Sequence, residues 1–308
     1  MNSKRFKAYL LLIFVTVIWG FAGPVIKYTL PAYPPFIFLT YRFLISTLIL
    51  IPIVWVMKPK WPDNRKEFLI LTVVGLLGSS VNLGLLFYGY NYTTVLDATI
   101  LSNTAPIFVV AAAALFLKER VTKKEKIGIL ITFIGTLAIL FEPTVNNGVS
   151  SFQRIIGNLL IIAANFAWVA YVILSKYALK HKFDTLFMTF YMFFLGFITI
   201  LPFSIIQSGS VGNLLLFLSA APIKDHLGVW YMAVLSGNLA YFLYQKGQKS
   251  IEASEAALFA YLTPLFAAPL AIFWLKEKIT FPFILGSVII IVGIVISEYK
   301  KSSQKPQA

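Results

Sequence analysis

The chain has 308 residues, of which 59% are hydrophobic and 12% charged, and its mean hydropathy is +0.82. Soluble domains average roughly 45–50% apolar and about 25% charged residues, so too little charge is present to clothe a water-soluble core, and a bilayer removes that need. There is no cysteine, which excludes disulfides, a thiolate nucleophile and cysteine-bound metal; the net charge of +14 is read below as membrane topology rather than affinity for nucleic acid.

A membrane helix needs about 20 mostly apolar residues. Taken in chain order, such segments fall at 7–29, 34–57, 67–91, 94–117, 124–141, 154–178, 184–206, 227–249, 253–275 and 280–298. The basic start, Met1 to Lys7, resembles a signal peptide, but the apolar run continues to about Leu30 without a small-residue cleavage site, so it reads as the first membrane helix. Pro31, Pro34 and Pro35 separate the first pair, and Pro59, Pro62 and Asp63 the second. Pro143, Asn146, Asn147 and Gly148 mark the middle of the chain. The longest break, 207–225, contains an apolar run from Leu214 to Leu218 that fits a short interfacial helix. The expected fold is all-α, with ten transmembrane helices.

With a cytoplasmic N-terminus, the cytoplasmic side collects Lys4, Arg5, Lys58, Arg65, Lys66, Arg120, Lys124, Lys180, Lys246, Lys249, Lys300 and their basic neighbours. The opposite side receives Arg154, Lys224, Lys276 and Lys278. This asymmetry predicts both termini inside.

Residues 97–135 repeat without a gap 158 positions later. Ala98 meets Ala256, Pro106 meets Pro264, Phe108 meets Phe266, and Leu117-Lys118-Glu119 meets Leu275-Lys276-Glu277. Thr122 meets Thr280, Gly128 meets Gly286, and Gly135 meets Gly293. At a spacing of 149, Trp19 meets Trp168 and Lys27 meets Lys176. The expected units are residues 1–148 and 149–308. Each holds five helices, an odd number, so the second must insert upside down. Inverted repeats with a site at their interface recur in secondary transporters, because two inverted copies can exchange conformations at similar energy. The inversion also accounts for Lys276 and Lys278, which copy a motif first placed inside.

These residues resemble the ten-helix EamA group of the drug/metabolite transporters, along nearly the whole chain. The features are Trp19-Gly20 and Lys27, Pro34-Pro35 leading to Arg42, Ala98 with Pro106, Leu117-Lys118-Glu119, and Gly128 with Gly135. In the second unit Tyr191 replaces the arginine. The resemblance implies a transporter with a central cavity, exporting amino acids or other metabolites; it does not identify the cargo.

Candidate cavity residues are the polar and aromatic side chains within spans: Trp19, Asn82, Tyr88, Asn103, Asn165, Trp168, Asn238, Tyr241 and Tyr261. Buried amides must find partners, so they face the bundle, and the cavity is expected between helices one, three, four, six, eight and nine. Such a lining suits an amphipathic or zwitterionic solute. Tyr33, Trp55, Trp61 and Tyr299, near span ends, read as interfacial belt residues. Arg42 is either a functional intramembrane charge, with Asp97 or Glu142 as partner, or a snorkelling side chain. Lys27 and Lys176, near helix ends, have the same two readings. Pro106 and Pro264 are expected as mid-helix kinks that let the helix flex. The Lys-Glu pairs end helices on opposite sides, as turn stabilisers or gates, and the paired glycines predict close packing of helices five and ten.

No G-x-x-x-x-G-K-[ST] phosphate loop occurs. No acid sits clearly mid-membrane, which weakens a proton relay and leaves facilitated diffusion, exchange, or proton coupling through partners of Arg42. No cofactor is called for. The expected partners are a small-molecule solute and the lipid of the plasma membrane. A membrane-embedded enzyme would need a mid-membrane His/Asp/Glu/Ser constellation, which is missing. A receptor or structural protein would have no use for an inverted repeat.

Overall fold

The structure, a computed structural model, describes residues 3–59, 61–116, 123–140, 151–180 and 183–298. Among these residues the chain is all helical. Seven helical stretches are long and apolar enough to cross a membrane: Arg5–Thr29, Pro35–Met57, Arg65–Tyr92, Val95–Ala112, Phe152–Leu179, Thr185–Ser208 and Ile223–Gln248. Shorter apolar helices lie at Lys126–Ile139, Val211–Ala220, Phe259–Phe273 and Phe281–Gly293. Large apolar side chains such as Leu69, Phe133, Ile206 and Phe281 are exposed on the bundle's outside while the interior is also apolar. Only a hydrocarbon surround accommodates both. The chain is a multi-pass membrane protein.

The first two helices, α1 (Ser3–Thr29) and α2 (Pro35–Met57), are separated by the predicted prolines, with Pro35 starting α2, where its missing N–H has no intrahelical partner to lose. Next, α3 (Arg65–Leu76) starts at Asn64, whose side chain accepts from Glu67 N at 2.9 Å. It runs through a π-helical turn, Leu77–Val81, into α4 (Asn82–Tyr92). The expected single span 94–117 is instead two helices, α5 (Val95–Ser102) and α6 (Ala105–Phe116), with a turn at Asn103 and Thr104. Then come α7 (Lys123–Leu140), α8 (Ser151–Lys180) and α9 (Thr185–Ser208), the last capped by Asp184. The short helix expected in the long break is α10 (Val211–Ala220). The eighth expected span comprises α11 (Ile223–Trp230), a π-helical stretch Tyr231–Leu239 and α12 (Ala240–Gln248). The ninth is again broken, into α13 (Ala253–Ala257), a 3-10 turn Leu258–Leu262 and α14 (Thr263–Phe273). The chain's last described helix is α15 (Phe281–Glu298).

Packing pairs the elements: α1 with α12 and α14, α8 with α4 and α6, α2 with α9, and α7 with α15. At the last contact a Cβ on Gly135 would meet Gly286 O at 2.8 Å, and one on Gly293 would meet Gly128 O at 2.8 Å. The repeated glycines therefore face each other, and only hydrogen at these positions lets the backbones approach so closely. Lys118, Glu119, Thr122, Glu142 and Tyr299 lie outside the described residues. Tyr33 is not an interfacial belt residue. It is fully buried, its hydroxyl 3.1 Å from His226 Nδ1, and burial pushes its pKa up.

Candidate functional site

At the centre of the bundle lies a cavity of about 190 Å³, more than ten times the roughly 15 Å³ one water needs. Its wall draws on α1, α2, α4, α5, α6, α8, the Tyr231–Leu239 stretch, α12 and the α13–α14 connection. The aromatic part is a cluster around Trp19. Its ring meets Trp168 edge to face at 5.5 Å and Tyr241 at 5.4 Å, and Tyr244 touches both tryptophans at 5.3 and 5.4 Å. The Trp19 indole donates to Ser236 O at 3.1 Å.

The two broken helices border this cavity. Proline has no N–H and clashes with the preceding turn, so a new helix can begin there more readily than an old one can continue. Pro106 is the second residue of α6 and Pro264 the second of α14. The expectation of mid-helix kinks is corrected: each proline occupies the first turn of a fresh helix. Carbonyls at the breaks also accept from across the bundle. Asn165 Nδ2 donates to Leu101 O at 2.9 Å and to Thr104 Oγ1 at 3.1 Å. Thr16 Oγ1 donates to Phe259 O at 3.1 Å.

Arg42 is 1% exposed, lies in the wall, and does not snorkel. Its Cζ sits 5.6 Å from the Phe87 ring centre and 5.9 Å from that of Phe193. Nε and Nη1 are buried and have no hydrogen-bond partner among the described residues. Two cation–π contacts are worth about 0.5–2 kcal/mol each, while burying an ion costs several kcal/mol. The rings therefore do not balance the charge. Of the two partners expected for Arg42, Glu142 lies outside the described residues and Asp97 is engaged elsewhere: Arg154 Nε and Nη2 donate to its two carboxylate oxygens at 2.6 and 2.9 Å.

Lys27 and Lys176 do not snorkel either. Lys27 Nζ donates to Tyr90 O at 2.8 Å and Thr93 O at 2.7 Å, closing the end of α4. Lys176 Nζ donates to Gln248 O and Ile251 O, closing the end of α12. Of the Lys276-Glu277 pair, the glutamate does the capping. It accepts from Val95 N at 2.7 Å and Leu96 N at 2.9 Å at the start of α5. Burial raises its pKa, against the lowering effect of those N–H groups and of Lys27.

Of the sequence-predicted residues, the cavity brings together Trp19, Arg42, Asn82, Asn103, Pro106, Asn165, Trp168 and Tyr241. The others lie outside its wall. The Tyr88 hydroxyl accepts from Gln207 Nε2 at 3.0 Å, near the far end of α9. Asn238 Nδ2 donates to Ser46 O at 3.2 Å, tying the Tyr231–Leu239 stretch to α2. Tyr261 is half-buried in the 3-10 turn, and Pro264 follows the wall residue Thr263. Sequence reasoning missed Tyr244, Ser236 and Thr16. A signal existed for Thr16, which stands 149 positions before Asn165.

A family model described as the EamA-like transporter family matches residues 6–141 and again 155–299. An uncharacterized transporter of Archaeoglobus fulgidus is 30% identical over 98% of this chain and 99% of its own length. The uncharacterized transporter YetK of Bacillus subtilis is 29% identical over 97% of this chain and 89% of its own. A crystal structure with 16% sequence identity aligns over 94% of this chain and 96% of its own at a TM-score of 0.62, a likeness of fold. The chain belongs to the EamA-like transporter family.

Proposed function

We propose that this chain is a secondary transporter that moves a small amphipathic or zwitterionic metabolite out across the plasma membrane. In this reading ten helices cross the membrane, both termini are cytoplasmic, and residues 1–148 and 149–308 form two inverted halves that rock about the central cavity. The observation that carries it is reciprocal. Thr16 and Asn165 are 149 apart, and the carbonyls they hold, Leu101 and Phe259, are 158 apart. Each half thus steadies the broken helix of the other beside the cavity, with Trp19 and Trp168 in contact between them.

Further support comes from the packing. The pair α1–α14 corresponds to α8–α6, and α1–α12 to α8–α4. A structural or enzymatic role gives no reason for such doubling, whereas alternating access needs two states of similar energy. The reading leaves uniport, exchange and proton coupling as alternatives. Flux in liposomes with and without a pH gradient separates them, since equal rates rule out coupling.

The cysteine-free chain permits a direct test of alternating access. Single cysteines replace Leu12 and Ile26, which line opposite ends of the α1 wall. Their labelling by an impermeant maleimide is expected to change in opposite directions when a transported metabolite is added. Labelling that never varies with the metabolite would sink the reading.

A further inference from the structure

We propose that Arg42 is an anion seat in the cavity, and that the solute class it takes is an amphipathic monocarboxylic acid. The carboxylate sits on the guanidinium, and the apolar body lies against Trp19, Trp168, Tyr241 and Tyr244. This rests on the cavity's being the transport pathway.

Three observations lead there. Arg42 is the one charged side chain among the described residues of the wall. Its Nε and Nη1 are buried without partners, although a guanidinium has five N–H groups to satisfy. Two acids at the nearby end of the bundle are engaged, Asp97 by Arg154 and Glu277 by the backbone of α5. A buried cation of this kind is stabilised by an anion that enters the cavity, and carboxylate–guanidinium hydrogen bonds are the strong, charge-assisted kind.

The charge count narrows the class. One guanidinium balances one negative charge, so a phosphate dianion would leave roughly one charge uncompensated. The aromatic cluster and wall residues such as Leu83, Leu86 and Ile26 favour an apolar or aromatic body. An ammonium group finds no carboxylate among the described residues of the wall, so a plain carboxylic acid suffices for recognition.

The test uses the full-length protein in lipid nanodiscs and calorimetric titration with phenylpropionate, phenylpropionamide, phenylethylamine and phenylphosphonate. Wild-type protein is expected to bind the carboxylate at least tenfold tighter than the amide. In R42Q the carboxylate should fall to the amide's level while the amide is unchanged, which also shows that the variant folds. If R42Q does not fold, R42K serves, because it keeps the charge but not the fork. A reduced but clear preference for the carboxylate is expected, and complete loss of it would overturn the proposal. Equal binding of carboxylate and amide by the wild type, a preference surviving in R42Q, or tighter binding of the phosphonate would each overturn it as well. If the amide and amine bind and the carboxylate does not, the seat is wrong and the cavity reading stands. If none of the four binds, and none is carried in liposomes, the cavity reading falls and the seat with it.

Discussion

A guanidinium buried among phenylalanines is expensive, and the sign of that expense is measurable. If Arg42 were a structural brace, removing it would strip partners from its neighbours and lower stability. Its Nε and Nη1 have no such partners, so R42M replaces an uncompensated charge with a side chain of similar length. Even buried ion pairs can be replaced by apolar side chains neutrally or with a gain of about 1–4 kcal/mol, and an unpaired charge has less attraction to lose. The melting temperature of ligand-free R42M is therefore expected to exceed that of wild type; a clear drop would show that the arginine holds the bundle together. Glu277 has a pH signature. Burial raises its carboxyl pKa above the ordinary value of 4.5, with Asp97 adding to the rise and Lys27 and the N–H groups of Val95 and Leu96 opposing it. Because the folded state holds the proton more tightly, this group's contribution is fully present below about pH 4.5 and fades as pH rises through the raised value. In E277Q that slope should vanish. Melting curves of both proteins across this range decide the matter, and parallel curves would exclude the assignment.

At the scale of elements, hydropathy was enough to find the seven long apolar stretches of the described residues, because a bilayer leaves helices few alternatives. The breaks were not legible. A proline in an apolar run reads as a kink, and whether the helix stops depends on what receives the freed carbonyls. Here the receivers are Asn165 and Thr16, far away in sequence. This gives a ranking opposite to intuition. P106A should be mild, because Pro106 occupies a first turn, where proline suits the helix and interior penalties do not apply. N165L should cost more, about 1–3 kcal/mol, because it removes both cross-bundle bonds, to Leu101 O and Thr104 Oγ1, and leaves the turn to its local Thr104 contacts alone. Thermal unfolding of the two variants tests the order, and a larger loss in P106A would refute this account of the break. The glycines of α7 and α15 were legible because their spacing alone puts them on one face. Leucine at Gly135, whose Cβ would press on Gly286 O and Ile290 N at 2.8 Å, is expected to lower stability by about 1–3 kcal/mol.

For the whole molecule, the two registers found in the sequence reach further than the aligned residues that defined them. Lys27 and Lys176 were matched at 149, and the carbonyls they hold, Tyr90 with Gln248 and Thr93 with Ile251, are matched at 158. The sequence placed both lysines near helix ends but could not show what they hold, because a long cation reaches lipid headgroups as easily as a carbonyl. Their positions at opposite ends of the bundle make a prediction about conformation. Lys27 steadies the segment whose neighbours Thr93, Val95, Leu96 and Asp97 bind Asn158, Glu277 and Arg154 across the proposed halves. Lys176 steadies the equivalent segment at the other end, the cytoplasmic one in the proposed orientation. Hydrogen bonds to a charged group are worth about 1.5–3 kcal/mol, so losing one brace should shift a near-balanced equilibrium by about tenfold or more. K27M is expected to favour the outward-open state, raising maleimide labelling of a cysteine at Ile26 and lowering it at Leu12. K176M should do the reverse. If both variants move the labelling in the same direction, the lysines do not act on opposite gates, and the symmetry they share is one of packing alone.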